Sequence, residues 1–231
     1  MKKNNIVFKL IIFIVAALIV VFVCMYLLNN EGKINQGNFR VNDAMVKSSL
    51  DVKEEENGDE NSKLTSLTDI KVTANQVNTL SLLLVSDVKP TRVYIDNVEI
   101  KKANIGNVAI YNDIDEEIYS DNISIDGADL IPTEKDGEYL VELKINNMNI
   151  ISNKNLPEGT NEVSYDGRLL KFYSMNVNDI KFDVKFKLNI IDDNGKINSS
   201  NIKLTLPNSD MVTNGISVVR LPVSNFVFSV K

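Results

Sequence analysis

Between Asp179 and Ile190 apolar and polar residues alternate without a break. Ile180, Phe182, Val184, Phe186, Leu188 and Ile190 are interleaved with Lys181, Asp183, Lys185, Lys187 and Asn189. A strand sends successive side chains to opposite faces, so this period of two predicts one dry face and one wet face. Antiparallel sheets have that character, whereas parallel strands are apolar on both sides. Asp192-Asp193-Asn194-Gly195 supplies turn residues, with Gly195 free to take positive φ. Ile202, Leu204 and Leu206 then form the return strand, which Pro207 ends.

The same pattern recurs from about residue 67 onward. Tyr139, Val141, Leu143 and Ile145 alternate with polar residues, as do Ile70, Val72 and Ala74. Leu80 to Val85 is a fuller apolar run and reads as a central strand. Shorter strands are expected at Val93–Ile95, Val108–Tyr111, Ile118–Ile125, Leu169–Tyr173, Ile216–Leu221 and Phe226–Val230. Turn signals separate them at Asp96-Asn97, Asn112-Asp113, Asp136-Gly137, Pro157-Glu158-Gly159, Asp166-Gly167 and Asn214-Gly215. Many short strands at this spacing predict an all-β, antiparallel β-sandwich, immunoglobulin-like in general architecture, over 67–231. Two small sandwiches joined near residues 153–160 are the alternative. The second would be a small core without a disulfide.

Residues Leu10 to Leu28 form an uninterrupted apolar run. At ~1.5 Å per residue such a run makes a helix of ~28 Å, close to the ~30 Å hydrocarbon thickness of a bilayer. It is longer than a signal-peptide core and no small-x-small triplet follows it. Cys24 is preceded by bulky Val23, which does not suit lipoprotein processing. Lys9 before the run, with no acid inside it, does not suit a pilin leader. A retained transmembrane helix over 10–28 is therefore expected. Lys2, Lys3 and Lys9 keep the tail 1–9 cytoplasmic and send the rest outside. The helix offers no small-xxx-small pattern for close dimerisation. Residues 29–66, with the charged stretch from Lys53 to Lys63, read as an acidic flexible linker spanning roughly 35 Å. Val41, Met45 and Val52 lie near helical spacing and offer a short amphipathic helix within it.

Composition excludes several chemistries. The formal net charge is −6, and the part beyond the inner lysines is more acidic still, so phosphate backbones repel it and nucleic acid is not an expected partner. There is no His, no Trp, and the single Cys lies in the apolar run. A His/Cys zinc site and Ser-His-Asp or Cys-His catalysis are impossible. No Gly-rich phosphate loop and no C-terminal LPxTG sorting motif are present. The absence of cysteine outside the run, with the bias to Asn, Lys and Ile, fits a bacterial surface protein from an AT-rich genome.

Four constellations merit weighing. Asp113, Asp115, Glu116 and Glu117, followed by Asp121, Asp126 and Asp129, supply oxygen ligands of the kind Ca²⁺ takes, but their spacing misses the EF-hand loop and reads as a solvated acidic loop. Asp192-Asp193-Asn194 could ligate a cation, although a hairpin turn accounts for it. Tyr94, Tyr111, Tyr119, Tyr139, Tyr165 and Tyr173 could form a binding face, although tyrosine also belongs in strands. Carboxylate pairs for glycoside hydrolysis are expected by chance, without the aromatic platforms that sugars use. No catalytic, cofactor-binding or metal residue is assigned, and no cofactor is expected. The sequence predicts a non-catalytic, single-pass membrane protein acting as an accessory or structural subunit of a cell-envelope assembly, such as a secretion, pilus, conjugation or wall machine. Its expected partners are the bilayer and envelope proteins. The alternative is a surface binding module for a polysaccharide, wall or host ligand.

Overall fold

The alternating segment beyond Lys181 forms a strand that buries every second residue on one face. In the computed structural model, which describes residues 37–56, 67–120, 124, 126–157, 175–209 and 211–230, it is β9 (Phe182–Asp192). Its inward residues Phe182, Val184, Phe186, Leu188 and Ile190 are buried. The described residues lie in one unit, Gly37–Lys231.

Two antiparallel sheets make up an all-β fold. The larger contains β1 (Phe39–Glu56), β2 (Leu67–Ser86), β4 (Asn107–Tyr111), β5 (Glu117–Tyr119), β7 (Thr133–Lys135), β8 (Glu138–Pro157) and β11 (Ile216–Arg220). Its order is β11-β1-β2-β8-β4-β5, with β7 also paired to β8. The smaller, in the order β12-β10-β9-β3-β6, adds β3 (Pro90–Lys101), β6 (Ala128–Leu130), β10 (Ile197–Leu206) and β12 (Ser229–Val230). Val46, Leu80, Leu82, Leu84, Leu143 and Ile145 of the larger sheet belong to one core with Val93, Ile95, Val184, Leu188 and Ile202 of the smaller. Each sheet draws strands from both halves of the chain, so no boundary falls near 153–160. β2 lies between β1 and β8, as its run Leu80–Val85 predicts.

Part of the expected linker, residues 39–56, is a strand. Residues 39–56 pair with β2 along almost their whole length. The alternation of β1 is hidden by a bulge between Val41 and Asp43, which shifts the phase from Phe39 and Val41 to Ala44, Val46 and Ser48. Asp43 Oδ1 accepts the Ala44 N–H there at 3.0 Å. Small and polar inward residues (Ala44, Ser48) conceal the rest, and the amphipathic helix expected around Val41, Met45 and Val52 does not form.

Other boundaries move for local reasons. Asp179 and Ile180 leave the expected strand and belong to a single helical turn, α1 (Val177–Ile180). Asn176 caps it: its side chain accepts the Asn178 N–H at 2.9 Å, and Asp179 Oδ2 accepts the Asn176 N–H at 2.9 Å. Asp96-Asn97 is no chain reversal. β3 runs through it on a bulge, with Asn97 at φ 53°. Asp136-Gly137, at φ 54° and 81°, joins β7 to β8 in a tight hairpin. Only Ser229–Val230 of the C-terminal segment is strand, and a 3-10 turn, Val223–Asn225, precedes it.

A second buried cluster holds Ala74, Ile150, Met175, Ile180 and Val212. α1 and a second short helix, α2 (Met211–Asn214), contribute Ile180 and Val212 to it. The tail 1–9, the helix expected over 10–28, residues 29–36 and 57–66 of the linker and the strand expected at Leu169–Tyr173 lie outside the described residues. Among those described, no helix is long and apolar enough to cross a membrane.

Candidate functional site

The acids singled out in the sequence are dispersed among donors and cations. Asn112 organises their loop, its Oδ1 accepting the N–H groups of Ile114 at 3.2 Å and Glu116 at 2.8 Å. Asp113 Oδ1 accepts from the Ile131 N–H at 3.1 Å, Asp115 pairs with Lys144, and Asp129 pairs with Arg92 at 2.6 Å. Asp126 is exposed, and Asp121 lies outside the described residues. No three metal-ligating side chains converge among the described residues.

The tyrosines do not form one face. Tyr139 is in the core, Tyr119 packs against it, and Tyr94 lies under the Arg92 guanidinium at 4.5 Å. Tyr111 donates to Glu117 Oε2 at 3.2 Å. Burial, then the nearby Glu117 charge and this hydrogen bond, push its phenol above the usual value. Tyr165 and Tyr173 lie outside the described residues.

Asp192 is 1% exposed and acts as a structural acceptor. Its Oδ1 accepts the N–H groups of Asn194 at 3.0 Å and Lys196 at 2.9 Å, which folds the hairpin. Its Oδ2 accepts from the Asn38 amide at 2.8 Å and the Asn198 amide at 3.4 Å. Burial by itself raises this carboxyl; the hydrogen bonds from Lys196, Asn38, Asn198 and Asn194 outweigh it and hold it below the usual carboxylate range. With both oxygens committed to N–H donors, the carboxylate serves the hairpin rather than a cation.

A buried polar row that sequence reasoning missed crosses the inner face of the larger sheet. Ser48 Oγ donates to Asn78 Oδ1 at 2.7 Å, Gln76 Nε2 donates to the same oxygen at 3.1 Å, and Asn78 Nδ2 donates to the Ile145 carbonyl at 2.6 Å. Asn147 Nδ2 donates to the Ile105 carbonyl at 2.9 Å. Polar residues at inward strand positions read in the sequence as a break in the pattern.

The edge strand β11 offers an open recognition element. Leu50 N–H bonds the Gly215 carbonyl at 2.9 Å and Leu221 N–H bonds the Ala44 carbonyl at 2.8 Å. Bonded positions alternate along an antiparallel ladder, so with Ser48 opposite Ser217 and Val46 opposite Val219, those residues face β1. The N–H and C=O groups of Ile216, Val218 and Arg220 therefore point away from the sheet, where no strand pairs with them among the described residues. Their side chains lie on one face and are open too, Ile216 at 53% and Val218 at 58%. Arg220 reaches back to Asp43 at 3.6 Å. An edge with unpaired backbone groups and apolar side chains is competent to take a further strand. No family model, curated protein or solved structure matches this chain.

Proposed function

We propose that this chain is a non-catalytic, single-pass membrane protein of the cell envelope and serves as an accessory or structural subunit of an envelope assembly. In this reading residues 1–9 are cytoplasmic, 10–28 cross the bilayer, and an immunoglobulin-like sandwich stands on the outer side. The apolar run Leu10–Leu28 and the lysines before it support the placement. The observation that carries the role is the open edge of β11. The occupant we assign to it is an extended segment of a partner protein, hydrogen-bonded to Ile216, Val218 and Arg220. Apolar residues of that segment lie beside Ile216 and Val218, and an acid meets Arg220.

A photo-crosslinking residue at Ile216 of the full-length chain, activated in intact membranes, tests this. The expected result is one discrete adduct that a probe at exposed Lys135 does not give and that Val218→Pro abolishes. No adduct, or one that survives Val218→Pro, overturns the role of the edge. An adduct of twice the chain's mass overturns the partner assignment and makes the occupant a second copy. A second reading, a binding module for a surface ligand, is favoured by one observation, a lysine-lined pocket in the other sheet.

A further inference from the structure

The sequence carries one paired basic dipeptide beyond the membrane run's flank, Lys101-Lys102, in a chain of net charge −6. The fold brings a third lysine to it from far along the chain. Lys101, Lys102 and Lys181 line one cavity of about 330 Å³ with Asn104, Asn178, Phe182, Asp183 and Thr205. That volume lies at the lower end of small-molecule sites, ~300–1,000 Å³. Its walls come from the end of β3, the loop after it, α1 and the start of β9, and the end of β10.

The walls are tied together. Ile105 N–H bonds the Asp179 carbonyl at 3.1 Å, Asn104 Nδ2 reaches the Asn178 carbonyl at 3.4 Å, and the buried Asn147 amide holds the Ile105 carbonyl. Asp183 sits directly across from Lys101 in the β3–β9 register, yet it accepts from the Thr205 hydroxyl at 2.6 Å. Among the described residues neither Lys101 nor Lys181 is in an ion pair. Elsewhere in the same sheet Lys185 is neutralised by Glu99 at 2.9 Å. Lys101 and Lys181, neither in an ion pair among the described residues, with Asp183 the one carboxylate among the described lining residues, give a site of local positive potential on an acidic molecule.

We infer that this pocket binds a phosphate ester of a polyol. Lysines are point charges approaching from separate directions and suit a compact multi-oxygen anion, whereas planar carboxylates call for an arginine fork, and no arginine is among the described lining residues. The Asn104 and Asn178 side chains supply further polar groups. The Asp183 carboxylate, with Oδ1 already holding Thr205, offers its other oxygen to a ligand hydroxyl. That combination selects an anion bearing hydroxyl groups over a bare anion. The same chemistry is presented by a free polyol phosphate and by a polymer of such units. This inference is independent of the open edge of β11.

The test is calorimetric titration of the full-length protein in non-ionic detergent at low salt. The probes are glycerol 3-phosphate, a poly(glycerol phosphate) chain and, as neutral control, glycerol. Saturable binding of a phosphate probe, with none of glycerol, is expected. Lys101→Ala with Lys181→Ala should weaken it at least about tenfold at unchanged thermal midpoint, because charge-assisted contacts are lost. Lys47→Ala, on an exposed position of the other sheet, should leave it unchanged. Tighter binding of the polymer per unit, or of the monomer, names the source. Failure of both phosphate probes to saturate, equal binding of glycerol, or binding unaffected by the double substitution overturns the inference.

Discussion

Asn38 and Asp192 are joined side chain to side chain at 2.8 Å, although 154 positions separate them in the chain. The backbone N–H of Asn38 also bonds Asn198 Oδ1 at 2.8 Å, and Gly37 N–H bonds the Phe228 carbonyl at 2.9 Å. The start of β1 is thereby fixed to the β9–β10 hairpin of the opposite sheet. Asp192→Asn keeps the shape but presents an NH₂ group to donors, so it cannot accept from all four N–H groups. It is expected to lower the thermal midpoint at neutral pH. The carboxyl is held below its usual value when folded, so its stabilisation is complete above the unfolded-state pKa of about 3.9 and is lost as pH falls through the folded value. The gap between wild type and Asp192→Asn should therefore narrow below about pH 4. A gap constant down to the acid transition would refute the assignment.

Asn78 holds three partners, and its removal leaves Ser48 Oγ and Gln76 Nε2 without the acceptor they share in the interior. Asn78→Ala should cost about 2–4 kcal/mol in denaturant unfolding, since buried polar groups left without partners retain their desolvation penalty. Ser48→Ala, which removes only one donor, should cost about 1 kcal/mol.

Proline distinguishes the two sides of β11. Val218 directs its N–H outward and Val219 directs its N–H toward Val46. Val218→Pro should change stability by less than about 1 kcal/mol, as proline is accepted on an edge whose N–H faces solvent. Val219→Pro should cost about 3 kcal/mol or more by breaking the ladder. Equal effects in urea titration would show that the ladder assignment is reversed.

Gly106 and Gly137 both have positive φ, at 94° and 81°. A Cβ on Gly106 would run into Asn147 Oδ1, while one on Gly137 meets nothing within 4 Å. Gly137→Ala should cost only backbone strain, about 1 kcal/mol. Gly106→Ala should cost more than twice that, because the tied loop and Asn147 must both shift. It should also weaken glycerol 3-phosphate binding, since the same loop walls the lysine pocket.

Legibility followed how local the cause was. β9 and β10 were readable because large apolar residues stand at alternate buried positions, Phe182 to Ile190 in one and Ile202, Leu204 and Leu206 in the other, and the turn between them is made of turn-forming residues. β1 was not, because a bulge reversed its phase and Ala44 and Ser48 are small enough to pass for surface. Asp192 was readable as a turn residue but not as an acceptor for Asn38, since that contact depends on the packing of two sheets. Lys101-Lys102 stood out as a pair, whereas Lys181 looked like one wet position of a strand. Strand order is a tertiary property, so nothing in Ile216–Arg220 announced an edge.

The pairing of β1 with β11 sets Met45 opposite Arg220 and Ser49 opposite Ile216. A contact between segments so distant in the chain demands closure of a very long loop before it returns any stabilisation. Chains dominated by such non-local contacts reach the native state in milliseconds to seconds rather than microseconds. Until β11 arrives, β1 has an unpaired side, and a prolonged window in which chaperone capture competes with aggregation is the expected consequence.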